Sequence, residues 1–229
     1  MKENVNLKII AHIRSDYTSK FAIPRQSGLV DLKSEIIFTK QYRNDDALRG
    51  LEGFSHLWLL WEFSESKNDE WSPTVRPPRL GGNKKVGVFA TRSPFRPNPI
   101  GLSSVKLEKI IRDTPDGTVL VVSGADLLDG TPIYDIKPYI AYTDSHPEAL
   151  GGFSDGVFSK ELKVNMPDKI KAVLPSDKIE PLCKILSQDP RPAYQNDENR
   201  IYAFEFSSFH IEFFVKNDIL TVLSITTEK

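Results

Sequence analysis

Residues 86–107, VGVFATRSPFRPNPIGLSSVKL, set three prolines between two strand-like ends. Val86, Val88 and Ala90 alternate with other positions at the start, and Val105 and Leu107 do so at the end. Pro94, Pro97 and Pro99 each fix φ and remove a backbone donor, which excludes a helix or a central strand between those ends. The middle must be a stiff, shaped loop that holds the guanidinium groups of Arg92 and Arg96 in set directions. A chain built around it needs strands on both sides, and the loop is the first candidate for a functional site.

The flanking sequence supplies such strands. Residues 5–13 read as a first strand and residues 34–39 (SEIIFT) as a second. Asn44 with Asp45 and Asp46 behind it forms an N-cap with acids in the first turn, predicting a short helix over 45–51 that stops near Gly53. Residues 54–63 (FSHLWLLWEF) are nearly all apolar or aromatic, as in a strand covered on both faces. Further strands are predicted over 118–123 and 133–140, separated by the loop GADLLDGTP. Six or seven strands, one short helix and long connectors predict a β-barrel or curled sheet rather than βαβ repeats.

Clustered Pro and Gly over 143–156 place a boundary near residue 145. Beyond it, Ser176 and Asp177 can cap a helix with Ile179, Leu182, Ile185 and Leu186 on one face, and strands follow over 201–206, 208–215 and 219–226. The predicted fold is mainly β, with an N-terminal β-barrel over 1–145 and a small α+β C-terminal domain over 146–229.

Hydrophobic residues make up 39% of the 229, enough for a packed core. The single cysteine, Cys183, excludes an internal disulfide and fits a reducing compartment. No apolar run reaches the length of a membrane span, and MKENVNLKII lacks a signal-peptide core, so a cytoplasmic protein without membrane association is expected. The net charge of −1 conceals an asymmetry: residues 72–107 contain no Asp or Glu but carry Arg76, Arg79, Lys84, Lys85, Arg92, Arg96 and Lys106. Such a strip is either a solvated loop face or a site that focuses an anion or a nucleic acid.

Several chemistries lack their residues. There is no G-x-G-x-x-G, no P-loop and no G-x-S-x-G elbow. His12, His56, His146 and His210 are scattered without metal-ligand spacing, so no metal is expected. Three loops remain that can converge at strand ends: Pro24-Arg25-Gln26, residues 92–102, and residues 126–132 with Asp135 shortly after. Arginines, an amide and carboxylates suit a zwitterionic ligand bearing a sugar, and Phe89, Leu102 and Leu128 can enclose a flat ring. Taken alone, Asp129-Gly130-Thr131-Pro132 is an ordinary turn.

Longer strings then carry a family resemblance. FAIPRQ at 21–26, RGLE at 49–52, FSHLW at 54–58, PTVRPPRLGG at 73–82, GVFATRSPFRPNPIGLS at 87–103, DGTP at 129–132, DIKPY at 135–139 and DPRPAY at 189–194 span nearly the whole chain. Together they resemble the TrmO family of S-adenosylmethionine-dependent tRNA methyltransferases. The resemblance implies a β-barrel methyltransferase of non-Rossmann type, usually a homodimer, that methylates N6 of threonylcarbamoyladenosine beside the anticodon of a threonine tRNA. It further implies that S-adenosylmethionine is held by Pro24, Arg25, Gln26, Glu65, Arg92, Leu102, Asp129, Gly130, Thr131 and Pro132. Arg191 and Tyr194, within DPRPAY, would contribute to tRNA recognition.

Methyl transfer from a sulfonium is a displacement in which alignment does most of the work, so no metal or nucleophilic side chain is needed. The acceptor nitrogen must still lose a proton, for which Asp135 is the candidate base. Arg76, Arg79 and Arg96 would meet phosphates of the anticodon stem-loop, with Phe95, Trp71 and Tyr194 as candidate stacking partners for a loop base. Two other readings fit part of these features: a non-catalytic RNA-binding barrel, and a regulatory protein that binds S-adenosylmethionine without RNA.

Overall fold

A computed structural model describes residues 5–66, 71–77, 80, 83–155, 161–191 and 197–227. The first strands are β1 (Ala11–Arg14), β2 (Lys33–Phe38), β3 (His56–Glu62) and the short β4 (Thr74–Val75). They are followed by β5 (Val86–Gly87), β6 (Ile100–Thr114), β7 (Gly117–Ser123) and β8 (Pro132–Pro138). Six of these close into an antiparallel barrel in the order β1-β2-β7-β6-β3-β8, while β4 and β5 pair as a separate ribbon. The sequence-based expectation of a mainly β fold with a barrel holds.

The barrel core follows the period of two. Leu57, Leu59 and Trp61 of β3 face inward with Ile13, Ile36 and Leu120, all largely removed from solvent. The apolar run at 54–63 is therefore not covered on both faces as expected, because Trp58, Leu60 and Glu62 alternate with the core positions and are only half-buried. An antiparallel strand commonly packs one face on the core and leaves the other open. β1 is also shorter than expected: Val5 and Leu7 are 82% and 52% exposed, with no sheet to cover them. The helix expected over 45–51 is two 3-10 turns, Asp45–Leu48 and Leu51–Gly53, divided by Gly50 at φ 87°. Its predicted cap is present, since the Asn44 side chain accepts from the Asp46 amide at 3.0 Å.

After β8 come α1 (Ala141–Asp144), β9 (Lys163–Asn165), α2 (Asp168–Lys171) and α3 (Ser176–Ser187). The strands β10 (Tyr202–Phe206), β11 (Phe209–Lys216) and β12 (Ile219–Thr227) complete the chain. They form a sheet in the order β10-β11-β12-β9, with β9 parallel to β12. Asn217 and Asp218, at φ 50° and 61°, make the two-residue turn that joins β11 to β12. α3 buries Leu182, Ile185 and Leu186 against this sheet, although the N-cap position is Pro175 rather than Ser176 and Pro181 lies within the helix.

The second core is not built from the C-terminal residues alone. Tyr17, Ala22, Val30 and Leu32, all from between β1 and β2, are buried in it beside Phe206 and Phe213. The Phe21 ring lies 5.8 Å from that of Phe204 and 6.4 Å from that of Phe213. Lys178 and Asp16 pair at 2.5 Å, and the Ser207 amide donates to the Asp16 carbonyl at 2.7 Å. The segment then rejoins the barrel where the Gly28 amide donates to the Gly124 carbonyl at 2.8 Å. Residues 16–32 thus link the two units, and Pro24-Arg25-Gln26 sits on that link.

Candidate active site

A cavity of about 600 Å³ opens at the barrel end where β3 pairs with β6, between the 20–26 segment and the 91–99 loop. That volume is in the range of small-molecule sites, roughly 300–1,000 Å³. Its apolar surface comes from Trp58, Trp61, Leu102 and Leu128, and its charged groups include Arg25, Arg92, Arg96 and Asp126. Leu102 is 55% exposed, an apolar side chain left open beside charged ones.

The 91–99 loop owes its shape to more than proline. Thr91 Oγ1 donates to the Val88 carbonyl at 2.8 Å and accepts from the Ser93 amide at 3.2 Å. Ser93 Oγ in turn accepts from the Phe95 amide at 3.3 Å. The Phe63 amide donates to the Pro99 carbonyl at 3.0 Å and fastens the far end to β3. Short hydroxyl side chains thus satisfy amides that a sheet would otherwise take. On this frame Arg92 Nη1 donates to Gln26 Oε1, and Arg96 Nη1 donates to the Thr91 carbonyl at 3.1 Å.

Gly101 is where the floor of the cavity becomes possible. It stands opposite Trp61 in the β3–β6 ladder, and a Cβ added there would lie 2.5 Å from Cδ2 of the indole. With no side chain at 101 the indole lies flat over the strand, and its Nε1 donates to Ser103 Oγ at 2.9 Å. Ser103 Oγ donates onward to Asp126 Oδ1 at 2.5 Å. Burial pushes the Asp126 carboxyl above its ordinary range, while the Ser103 hydrogen bond, nearby backbone amides and the Arg92 charge act the other way.

Pro24, Arg25, Gln26, Glu65, Arg92, Leu102 and Thr131 come together around this cavity, though they span more than a hundred residues of sequence. Three others of the expected set lie outside its lining. Asp129 Oδ1 accepts from the Ser15 amide at 2.9 Å, the Gly130 amide donates to the Ile13 carbonyl at 2.9 Å, and Pro132 pairs with His12 in the barrel ladder. The DGTP turn, with Gly130 at φ 75°, docks on the end of β1 and presents Thr131 to the cavity. Phe89 is also outside the lining and 73% exposed, stacked on Trp71 with ring centroids 6.3 Å apart.

Asp135, the expected base, does not line the cavity either. It lies opposite Leu60 in the β3–β8 ladder, and its carboxylate pairs with Lys137 at 2.9 Å and accepts from the Ile136 amide. The carboxylate that does reach the cavity from the same region is Asp126. In the sequence it is one acid in GADLLDGTP, and its only signal is membership of a loop that converges with two others. Arg76 is exposed, whereas Arg191 is nearly buried, its guanidinium forking onto both Asp189 oxygens at 2.8 Å. Asp189 holds Arg191 firmly charged, and its main-chain carbonyl accepts from Arg25 Nη2 at 3.0 Å. Arg79 and Tyr194 lie outside the described residues.

Residues 12–145 match the model of the tRNA-methyltransferase O N-terminal domain, and residues 158–228 match that of the TrmO C-terminal domain. The chain belongs to the TrmO family. It is 44% identical over 211 residues, 88% of this chain and 89% of the other, to the tRNA (adenine(37)-N6)-methyltransferase of Escherichia coli. It is 39% identical over 225 residues, 94% of this chain and 95% of the other, to a Pseudomonas aeruginosa protein named a putative S-adenosylmethionine-dependent methyltransferase. The crystal structure of TrmO from Pseudomonas aeruginosa superposes with a TM-score of 0.76 at 31% identity, covering 100% of this chain and 99% of that one. The loops that build the cavity, at 24–26, 91–102 and 126–131, all lie within the N-terminal TrmO domain. Among the described residues no group of three or more His, Cys, Asp or Glu is placed to hold a metal ion, and no helix is long and apolar enough to cross a membrane.

Proposed function

We propose that this protein transfers a methyl group from S-adenosylmethionine to N6 of adenosine 37 in tRNA, with threonylcarbamoyladenosine of a threonine tRNA as the acceptor. The observation that carries the reading is the cavity itself. An arginine, an amide and a half-buried carboxylate converge with exposed apolar walls at the mouth of a barrel in a TrmO-family chain. The cytoplasm, where tRNA is modified, is the proposed compartment, and a homodimer the proposed assembly. The barrel, residues 1–145, would bind the methyl donor, and residues 146–229 would contribute to tRNA recognition.

The residues present fit such a donor. Arg92 offers a planar fork to a carboxylate, and its bond to Gln26 Oε1 sets its direction. Trp58, Leu102 and Leu128 offer apolar surface for a flat ring. When bound, the donor brings a methyl group already activated by a sulfonium. The chain then has to align that group with the acceptor nitrogen and keep water out, and both tasks suit a rigid loop. Replacing Arg92 by alanine is expected to weaken donor binding about 10- to 150-fold, the loss of one charged hydrogen-bonding partner of roughly 1.5–3 kcal/mol. Calorimetric titration of the donor checks this, and the melting temperature should hold because the side chain is exposed.

For tRNA, Arg76 and Arg79, in a stretch of sequence without Asp or Glu, and the exposed rings of Trp71, Phe89 and Phe95 favour phosphate contacts beside a stacking surface. Arg96 opens on the same cavity, while Arg191 and Tyr194 lie on the DPRPAY segment that reaches Arg25 through Asp189. Tested by tRNA titrations across a salt series, Arg76→Ala should reduce the slope of log affinity against log salt by about 0.7–0.9, one phosphate contact. Donor affinity should stay unchanged. A non-catalytic RNA-binding barrel would give the same salt slope but no thermal shift with S-adenosylmethionine, and a regulatory donor-binding protein would give the shift without the slope.

A further inference from the structure

We propose that Asp126 and Arg92 form a clamp for the α-amino acid end of the methyl donor, with the Asp126 carboxylate taking the ammonium and the Arg92 guanidinium the carboxylate. This rests on the methyl-donor reading above and assigns one end of the ligand within it.

The carboxylates around the cavity differ in what already occupies them. Asp129 receives the Ser15 amide, and Asp135 is held by Lys137. Glu62 lies beside Tyr134, whose phenol is raised first by burial and then by that carboxylate. Glu65 is a rim group, its side chain 62% exposed and 3.9 Å from the Lys20 ammonium. Asp126 is a half-buried carboxylate of the cavity wall, and burial is the largest influence on its carboxyl. A buried carboxylate is costly unless paired and hydrogen-bonded, and the cost is greatest where water is excluded. Here the hydrogen bonds are built in. Trp61 orients Ser103, and Ser103 fixes Oδ1 of Asp126, so the group is held in one direction before a ligand arrives.

Arg92 lines the same cavity and is close enough for its charge to act on Asp126. An α-amino acid carries opposite charges on two groups of one carbon, so it needs opposite charges presented close together in this way. The Gln26 amide holds Arg92 toward the cavity without neutralising it. Lys20 and Glu65, another acid–base pair of the lining, lie at the exposed rim.

Two ligands separate this clamp from a merely structural carboxylate. S-adenosylhomocysteine carries the amino acid end, and 5′-methylthioadenosine has the same nucleoside and thioether without it. Calorimetric titration of the purified full-length protein should show wild type binding the first more tightly than the second. In Asp126→Asn, affinity for S-adenosylhomocysteine should fall tenfold or more while that for methylthioadenosine stays within about twofold. Methylthioadenosine binding also reports whether the variant is folded. Should Asp126→Asn fail to fold, Arg92→Gln, at an exposed position, is expected to give the same selective loss. Equal losses for both ligands, or no loss for either, would overturn the clamp while leaving the methyl-donor reading intact. If wild type bound neither ligand nor S-adenosylmethionine, the methyl-donor reading would fall and the clamp with it.

Discussion

Gly101→Ala is expected to destabilise the barrel by roughly 1–3 kcal/mol and to lower the methylation rate by about 10²-fold. The added Cβ would meet the six-membered ring of the Trp61 indole, with Cδ2 at 2.5 Å and Cε2 and Cζ2 nearer still. β3 and β6 are paired along their length here, from His56 opposite Lys106 to Glu62 opposite Ile100, so the backbone has little room to move apart. The indole must swing instead, and its Nε1 then leaves Ser103 Oγ. Ser103 in turn is what fixes Asp126, so a single methyl group misplaces a carboxylate 25 residues away in sequence. Chemical denaturation and single-turnover rates measure the two effects. The double variant Gly101→Ala, Trp61→Phe removes the clashing ring and should recover most of the stability without recovering the rate. Full recovery of both would mean that the Trp61–Ser103–Asp126 chain has no part in the site.

Phe213→Ala is expected to cost about 3–5 kcal/mol, the range for deleting a buried phenyl ring. Phe213 is fully buried on β11, its ring 5.5 Å from that of Tyr202, 6.0 Å from that of Phe204 and 6.4 Å from that of Phe21. The last contact carries the effect to the barrel. Phe21 anchors the segment that bears Pro24, Arg25 and Gln26, and Gln26 positions Arg92. The variant should therefore unfold at lower denaturant concentration and also bind the donor more weakly, although Phe213 does not line the cavity. Unchanged donor affinity in the destabilised variant would show that the second core does not support the cofactor loop.

Much of the barrel was legible because its rules are local. The strands expected over 34–39, 118–123 and 133–140 appear as β2, β7 and β8 within a residue or two of those limits. The prolines at 94, 97 and 99 announced a rigid loop, and the structure adds the Thr91 and Ser93 hydroxyls that complete it. What stayed hidden depends on distant partners. β9 and α2 are three and four residues long, too short for a period to show, and β9 exists because β12 offers it an edge. The 16–32 segment read as a loop because its apolar residues follow no period, yet they fill a core formed by strands about 180 residues later. The strand at 54–63 misled in the opposite way: its apolar outer face suggested a second covering layer, whereas Trp58 lines a cavity.

The candidate site divides along the same line. Residue types and loop convergence pointed to Pro24-Arg25-Gln26, Arg92 and Leu102, all of which line the cavity. Side-chain direction was beyond reach. Asp129 and Asp126 are three residues apart in one loop, and only the fold turns the first to the Ser15 amide and the second to the cavity. Arg191, basic and set within a proline-rich string, has a partner that its position in the sequence does not announce: its guanidinium forks onto Asp189. A charge read from sequence carries no information about its nearest neighbour.

The most direct test of the central claim is nucleoside analysis of tRNA after incubation with the purified protein and isotope-labelled S-adenosylmethionine, using tRNA from cells with and without threonylcarbamoylation. The account predicts label on N6 of threonylcarbamoyladenosine 37 of threonine tRNA, and none on tRNA that lacks the threonylcarbamoyl group. Label on another nucleoside, or no transfer from a protein that binds both donor and tRNA, would contradict it.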